Sequence, residues 1–232
     1  MVEAAGHKRD STPNTMETEV GNLKILITGA SGLLGSKLSE LATRQGHEVY
    51  SAYNQNRPLH GNPIKLDVTS RDNIDQALEY SRPEIIFHVA ALTKVDECER
   101  NKELAWKTNY EGPLNIMRAA EKTESFLVYC STDYVFDGEK GLYSEGDKPD
   151  PINHYGYTKL KGERAIEEYG GEWTIVRPSV IYGAHQATGK VNFALWILDK
   201  LRKGEEVKVL KDQYVSPTLS TSLATMMLET QG

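Results

Sequence analysis

The chain has 232 residues, of which 39% are hydrophobic and 26% charged, and its formal net charge is -6. This is the composition of an ordinary globular protein, and an acidic balance without a basic stripe excludes a nucleic-acid surface. Two cysteines, Cys98 and Cys130, exclude a disulfide framework, and the six histidines show no metal-ligand spacing. No apolar run approaches the roughly 20 residues of a membrane span, and the N-terminus lacks the apolar stretch of a signal peptide. The expected address is the cytoplasm, with no membrane or nucleic-acid partner.

Residues 1–21 are polar, with Gly6, Pro13 and mixed charge, and read as a disordered leader. Leu23 to Ile27 is a short, mostly apolar run and reads as a buried strand. The glycines Gly29, Gly32 and Gly35 follow it at once, and Ser36 to Gln45 has helical periodicity through Leu38, Leu41 and Ala42. His47 to Tyr53 and Ile64 to Leu66 read as strands, with a helix over Arg71 to Tyr80. Glu84 to Val89 is the next strand and runs into Ala90 and Ala91. A long helix is expected from Glu103 to Lys122, kinked at Gly112-Pro113. Phe126 to Cys130 is a strand, in which Cys130 reads as a small buried hydrophobe. Tyr134 to His154 is poor in apolar residues and reads as a long loop, Tyr155 to Tyr169 as a helix, and Trp173 to Val176 as a strand. Beyond Pro178, the pattern predicts a helix over Phe193 to Arg202, a strand over Val207 to Leu210 and a last helix from Leu219 to Glu229.

Strands alternating with helices predict βαβ units, hence an α/β fold with a doubly wound parallel sheet. The expected division is a leader (1–21), a doubly wound domain of Rossmann type (22–178) and a small second lobe (179–232).

The glycine turn carries the first chemical signal. Glycines between a strand and a helix let the backbone approach a pyrophosphate, while the helix N-terminus offers free N–H groups and partial positive charge. An unliganded strand-helix turn is the plain alternative. Asp67 stands at a strand end, where a carboxylate accepts from an adenine amino group or caps the following helix. The stretch Tyr50 to Arg57 contains no Asp or Glu to hold ribose hydroxyls, and Arg57 is near enough in sequence to pair with a 2′-phosphate. That favours NADP(H), with NAD(H) as the alternative.

The second signal is Tyr155 and Lys159, four residues apart on a predicted helix and so on one face. An ammonium beside a phenol favours the phenolate, so the pair suits proton transfer in a carbonyl/alcohol interconversion. Ser131, Thr132 and Asp133 follow a strand end, where a hydroxyl can hold a substrate oxygen beside Tyr155.

Taken together, the glycine turn, Asp67, Ser131-Thr132 and Tyr155/Lys159 resemble the extended short-chain dehydrogenase/reductases. Within them, Ser131-Thr132-Asp133-Tyr134-Val135-Phe136-Asp137-Gly138, Asp212-Gln213 with Ser216-Pro217-Thr218, Ala90 to Asp96 and Arg177 to Gly183 resemble the dTDP-4-dehydrorhamnose reductase group. The resemblance implies a cofactor site formed by Gly29, Ser31, Gly32, Leu33, Leu34, Gly35, Asn54, Arg57, Asp67, Val68, Ala90, Ala91, Thr93, Asn109, Tyr155, Lys159 and Pro178. It implies Thr132, Tyr155 and Lys159 as catalytic residues and Val95, Thr132, Asp133, Tyr134, Asn192 and Gln213 on the substrate side. The implied reaction is NADPH-dependent reduction of the 4-keto group of a nucleotide-linked deoxysugar. Val180 stands where that group commonly has tryptophan, Val215 where it has glycine, and the sequence ends several dozen residues before the group's usual end. Two other readings share the motifs: a non-catalytic NADP-binding subunit resembling the β-subunit of methionine adenosyltransferase, and a sugar-nucleotide epimerase with tightly bound NAD. A homodimer through helical faces such as Glu103 to Lys122 is a further expectation.

Overall fold

The computed structural model describes residues 2–3, 21–184 and 191–230. A seven-stranded sheet has the order β1-β7-β6-β5-β2-β3-β4. Its six strands β2 (Lys24–Thr28), β3 (Glu48–Tyr53), β4 (Asn62–Lys65), β5 (Ile85–His88), β6 (Phe126–Cys130) and β7 (Trp173–Val176) are all parallel. The central strands are buried on both faces, which is why Ile25, Leu26 and Ile27 are apolar without alternation.

Helices cover both sides. α1 (Leu33–Arg44) and α8 (Ser220–Glu229) lie on one face, where Leu34, Leu38, Ala42, Leu223, Ala224 and Met227 join Ile25, Ile27 and Phe87. α2 (Arg71–Ser81) and α5 (Gly112–Thr123) cover the other, through Ile74, Leu78, Ile116 and Ala120. α8 comes from the 179–232 segment, yet it packs against α1. The Ser70 hydroxyl accepts from Asn73 N–H and starts α2, while Arg82 in the left-handed region (φ 40°) stops it. Among the described residues, no helix is long and apolar enough to cross a membrane.

The predicted doubly wound sheet is present, and several details differ. Val2–Glu3 forms an edge strand, β1, antiparallel to β7, with Val2 opposite Val176. This departs from a wholly disordered leader, because the outer edge of β7 offers unpaired backbone groups; residues 1 and 4–20 lie outside the described set. Val207–Leu210 is not a strand. It is irregular, with Val209 and Leu210 exposed, since among the described residues no neighbouring strand lies there to complete a ladder. The pairing in this region is instead β8 (Ile181–Tyr182) with β9 (Thr218–Leu219), each too short to show periodicity. A six-residue helix, α3 (Val95–Arg100), went unpredicted for the same reason. α7 (Phe193–Arg202) forms as predicted, with no residue fully buried.

The kink at Gly112-Pro113 is more than a bend. The long helix divides into α4 (Lys102–Trp106), a π-turn over Lys107–Glu111, and α5. Gly112 N–H reaches back five residues to Lys107 O. Pro113 has no N–H for the carbonyl four residues earlier, that of Asn109. The Tyr129 hydroxyl faces this carbonyl at 3.5 Å.

α6 (His154–Glu167) is seated by two glycines. A Cβ on Gly156 would run into the Tyr134 carbonyl, and one on Gly162 would stand 2.8 Å from Asn109 O and collide with the Tyr129 hydroxyl. Gly162→Ala is therefore expected to lower stability by about 1–3 kcal/mol through overpacking. Urea unfolding measures this, and an unchanged midpoint would contradict the close seating of α6 on β6.

Candidate active site

In the strand order, connections leave β2 toward β3 on one side and β5 lies on the other, so a crevice opens outside the carboxyl ends of these two strands. Gly29 stands there in the left-handed region (φ 68°), and a Cβ on it would be 2.8 Å from Ala90 Cα. Gly32 N–H bonds to Gly29 O at 2.9 Å, and a side chain on Gly35 would collide with that same carbonyl. The first turn of α1 thereby packs directly on the turn. Gly32 at the N-cap brings no capping side chain to the start of α1, where the first backbone N–H groups lie. A dinucleotide pyrophosphate fits this cradle in chemistry and in the space that the absent side chains leave.

The remaining cofactor candidates differ in exposure. Ser31, Leu33, Ala90 and Ala91 are half-buried, Leu34 and Val68 are buried, and Thr93 is exposed. Asn54 and Arg57 are exposed beyond β3. The Lys65 ammonium bonds to the Asn54 carbonyl and lies 5.5 Å from the Tyr53 ring centroid, a cation near the β3 end that the motif reading did not include. Asp67 does not cap α2. Its Oδ1 accepts from Thr69 N–H at 2.9 Å and Thr69 Oγ1 at 2.8 Å, and Ser70 does the capping.

Asn153 caps α6 by accepting from Gly156 N–H at 2.8 Å, and the helix carries Tyr155 and Lys159 inward. Tyr155 is 8% exposed and Lys159 1%. Lys159 Nζ donates to Cys130 O at 2.8 Å and sits 4.1 Å from the centroid of the Tyr129 ring. Burial pulls this ammonium down to about 8, against the raising influence of Cys130 and Glu163. The phenol of Tyr155 moves the other way. Burial holds it well above its ordinary range, Cys130 adds to the rise, and a hydrogen bond with the Thr132 side chain opposes it. The sequence expectation was an ammonium that lowers the phenol. Sharing a helical face did not suffice, because the long Lys159 chain extends to the β6 end.

Thr132 is buried beside these groups. Its Oγ1 donates to Asp133 Oδ1 at 3.2 Å and accepts from Tyr134 N–H at 3.2 Å. The rings of Tyr134 and Tyr155 meet edge to face at 5.7 Å. Pro178 O accepts from Asp133 N–H at 3.1 Å, which ties the loop to the β7 end. Asn109, fully buried, brackets Leu92: its Oδ1 accepts from Leu92 N–H at 2.8 Å and its Nδ2 donates to Leu92 O at 3.0 Å. Val95 is half-buried in the cluster of Cys98, Ala105 and Tyr155.

Two substrate-side candidates lie in scaffold or exposed positions. Asn192 caps α7 by accepting from Leu195 N–H at 3.2 Å and donates to Gly183 O at 2.8 Å. Gln213 is exposed in an irregular segment. Motif reading missed His88, Glu163 and Arg177. His88 is fully buried at the β5 end, 2.7 Å from Thr28 Oγ1 and stacked on Tyr129 at 5.7 Å, and burial lowers it to about 3. Glu163 had a legible signal: it stands four residues after Lys159, one turn further along the same face.

The depressed Lys159 fixes a pH dependence. A lysine at about 8 when folded and near 10.5 when unfolded binds fewer protons in the folded state between those values. Its burial therefore opposes folding most at and below pH 8, by at most about 3 kcal/mol, and this cost fades as pH rises to 10.5. Lys159→Met should accordingly lose ground to the wild type as pH goes from 7 to 9.5. Paired urea titrations measure the trend, and a difference moving the opposite way would refute the buried charge.

Comparisons with known proteins identify the family. A probable low-salt glycan biosynthesis reductase of Haloferax volcanii is 36% identical over 206 residues, covering 88% of this chain and 69% of that protein. The methionine adenosyltransferase 2 subunit beta of Danio rerio is 35% identical over 161 residues, covering 69% of this chain and 48% of that subunit. The structure of a dTDP-4-dehydrorhamnose reductase from Bacillus anthracis in complex with NADP superposes with a TM-score of 0.80 at 34% identity, over 90% of this chain and 70% of that one. The chain thus spans only part of each, between 48% and 70% of their lengths. The family model described as RmlD substrate binding domain matches residues 23–231. With a family match across nearly its whole length, the chain belongs to the RmlD substrate-binding-domain family.

Proposed function

We propose that the chain belongs to an NADPH-dependent reductase acting on the 4-keto group of a nucleotide-linked deoxysugar. The observation that carries this reading is Tyr155, a phenol buried on the same helix face as the enclosed Lys159 and packed edge to face on Tyr134, two residues beyond Thr132 at the β6 end. Reduction of a ketone requires a proton for the new alcohol oxygen, and a phenol that stays protonated at neutral pH is suited to give one. Thr132 would orient that oxygen, and Lys159 would hold the ribose next to the reacting ring. Gly29, Gly32, Gly35 and the α1 N-terminus would bind the pyrophosphate, and Arg57, with Lys65 nearby, would meet a 2′-phosphate. Bound nicotinamide supplies the hydride. The NADP-bound relative from Bacillus anthracis supports the choice of cofactor, and the glycan biosynthesis reductase from Haloferax volcanii supports reductive chemistry.

The similarity to a methionine adenosyltransferase β-subunit keeps a regulatory role as the second reading. Oxidation of NADPH with a panel of 4-keto sugar nucleotides separates the two. Turnover of one of them is the expected result. Tight NADP binding with no turnover of any would replace the reductase with the regulatory reading.

Tyr155→Phe should cut kcat by at least about a hundredfold while the Kd for NADPH stays within about twofold, because only the proton is lost. Wild-type turnover in this variant would remove Tyr155 from the chemistry. Arg57→Ala should weaken NADPH binding by about tenfold and leave NADH binding nearly unchanged, as expected for loss of one charge-assisted phosphate contact. Equal losses for both cofactors, measured by fluorescence titration, would take Arg57 out of the phosphate pocket.

A further inference from the structure

Beneath the proposed site lies an ion pair that no step of the reduction uses. Arg177 Nε donates to Glu163 Oε1 at 2.9 Å and Arg177 Nη2 donates to Oε2 at 2.8 Å. Both side chains are enclosed, at 5% and 0% exposure. The guanidinium also lies 5.6 Å from the centroid of the Phe136 ring. Three site-bearing pieces therefore meet here: α6 through Glu163, the end of β7 through Arg177, and the loop after β6 through Phe136.

Such a pair is a poor device for stability alone. Desolvating both charges costs about as much as their attraction returns, and apolar residues of similar volume are often as stable or more so. A bidentate fork does supply geometry, because two parallel N–H···O bonds fix distance and rotation together. Glu163 is one turn beyond Lys159, so the rotation of α6 at Glu163 sets where the lysine stem leaves the helix. The ammonium then reaches Cys130 O and the Tyr129 face, both on β6.

We propose that Glu163 and Arg177 are positioning residues: their pairing locks α6 against the ends of β6 and β7 so that Lys159 and Tyr155 face the crevice in register with Thr132. The part of this inference that concerns turnover rests on the reductase reading; the part that concerns the placement of Lys159 does not.

The test uses the double substitution Glu163→Leu/Arg177→Met and, separately, Arg177→Lys, which keeps the charge but not the fork. Three quantities are read on the full chain. The first is the urea midpoint. The second is the upfield ring-current shift that the Tyr129 ring imposes on the Lys159 side-chain protons, followed by NMR without cofactor. The third is the kcat and KM with NADPH and the sugar nucleotide that the wild type turns over. The expected double variant has a midpoint equal to or above that of the wild type, a Lys159 ring-current shift reduced by half or more, and a kcat lower by about tenfold or more with KM within about threefold, since small misplacements of reacting groups act mainly on the chemical step. Wild-type ring-current shift and kcat in the double variant would overturn the proposal and leave the pair as packing. If the double variant does not fold, Arg177→Lys decides by the same two readings. A wild type that turns over no sugar nucleotide would defeat the reductase reading, and the ring-current shift would then still decide the placement of Lys159.

Discussion

A lysine ammonium buried at the end of a β-strand organises this molecule. Lys159 gives up nearly all of its water and receives in return a carbonyl at 2.8 Å and the face of an aromatic ring. That exchange is incomplete, as the pKa near 8 records, so every neighbour that steadies the amine matters. Tyr129 supplies the ring and is itself fixed through stacking on His88 and by facing Asn109 O. Gly162 leaves the space in which α6 can come so close. The chemistry proposed for Tyr155 depends on the same seating, because phenol and ammonium ride on one helix.

The two sides of the crevice use different physics. On the proposed cofactor side, the groups are backbone: glycines that lack side chains, and the N–H groups at the start of α1. On the side proposed for proton transfer, they are side chains desolvated by close packing, with pKa values displaced in opposite directions by the same burial. This contrast explains why the phenol stays protonated. Enclosure disfavours the phenolate, and the nearby ammonium is directed at a carbonyl.

Much of the architecture was legible because central parallel strands are buried on both faces and appear as continuous apolar runs, such as Lys24–Thr28 and Phe126–Cys130. The glycine turn was legible because its spacing is dictated by backbone approach. What escaped was short or non-local. Ile181–Tyr182 and Thr218–Leu219 are joined by pairing between residues 37 apart in sequence, and two-residue strands have no period to detect. Val207–Leu210 had the composition of a strand and no partner strand among the described residues. In the site, Tyr155 and Lys159 were recognisable from their spacing, whereas the destination of the Lys159 side chain was not, since Cys130 O belongs to a different strand 29 residues away. Asn192 was named for its motif position, and its bonds, which start α7 and hold Gly183, could not be read from the sequence.

The π-turn at Lys107–Glu111 has a consequence for how this scaffold tolerates change. The irregularity in the helix is what turns Asn109 inward to bracket Leu92 and leaves its carbonyl facing Tyr129. A substitution that improved helical propensity at Pro113 would restore a donor for that carbonyl and favour an unbroken rod. Regularity and competence thus pull in opposite directions at one peptide. Efforts to harden this protein by idealising its helices would meet their limit here, where a local imperfection holds distant strands in working order.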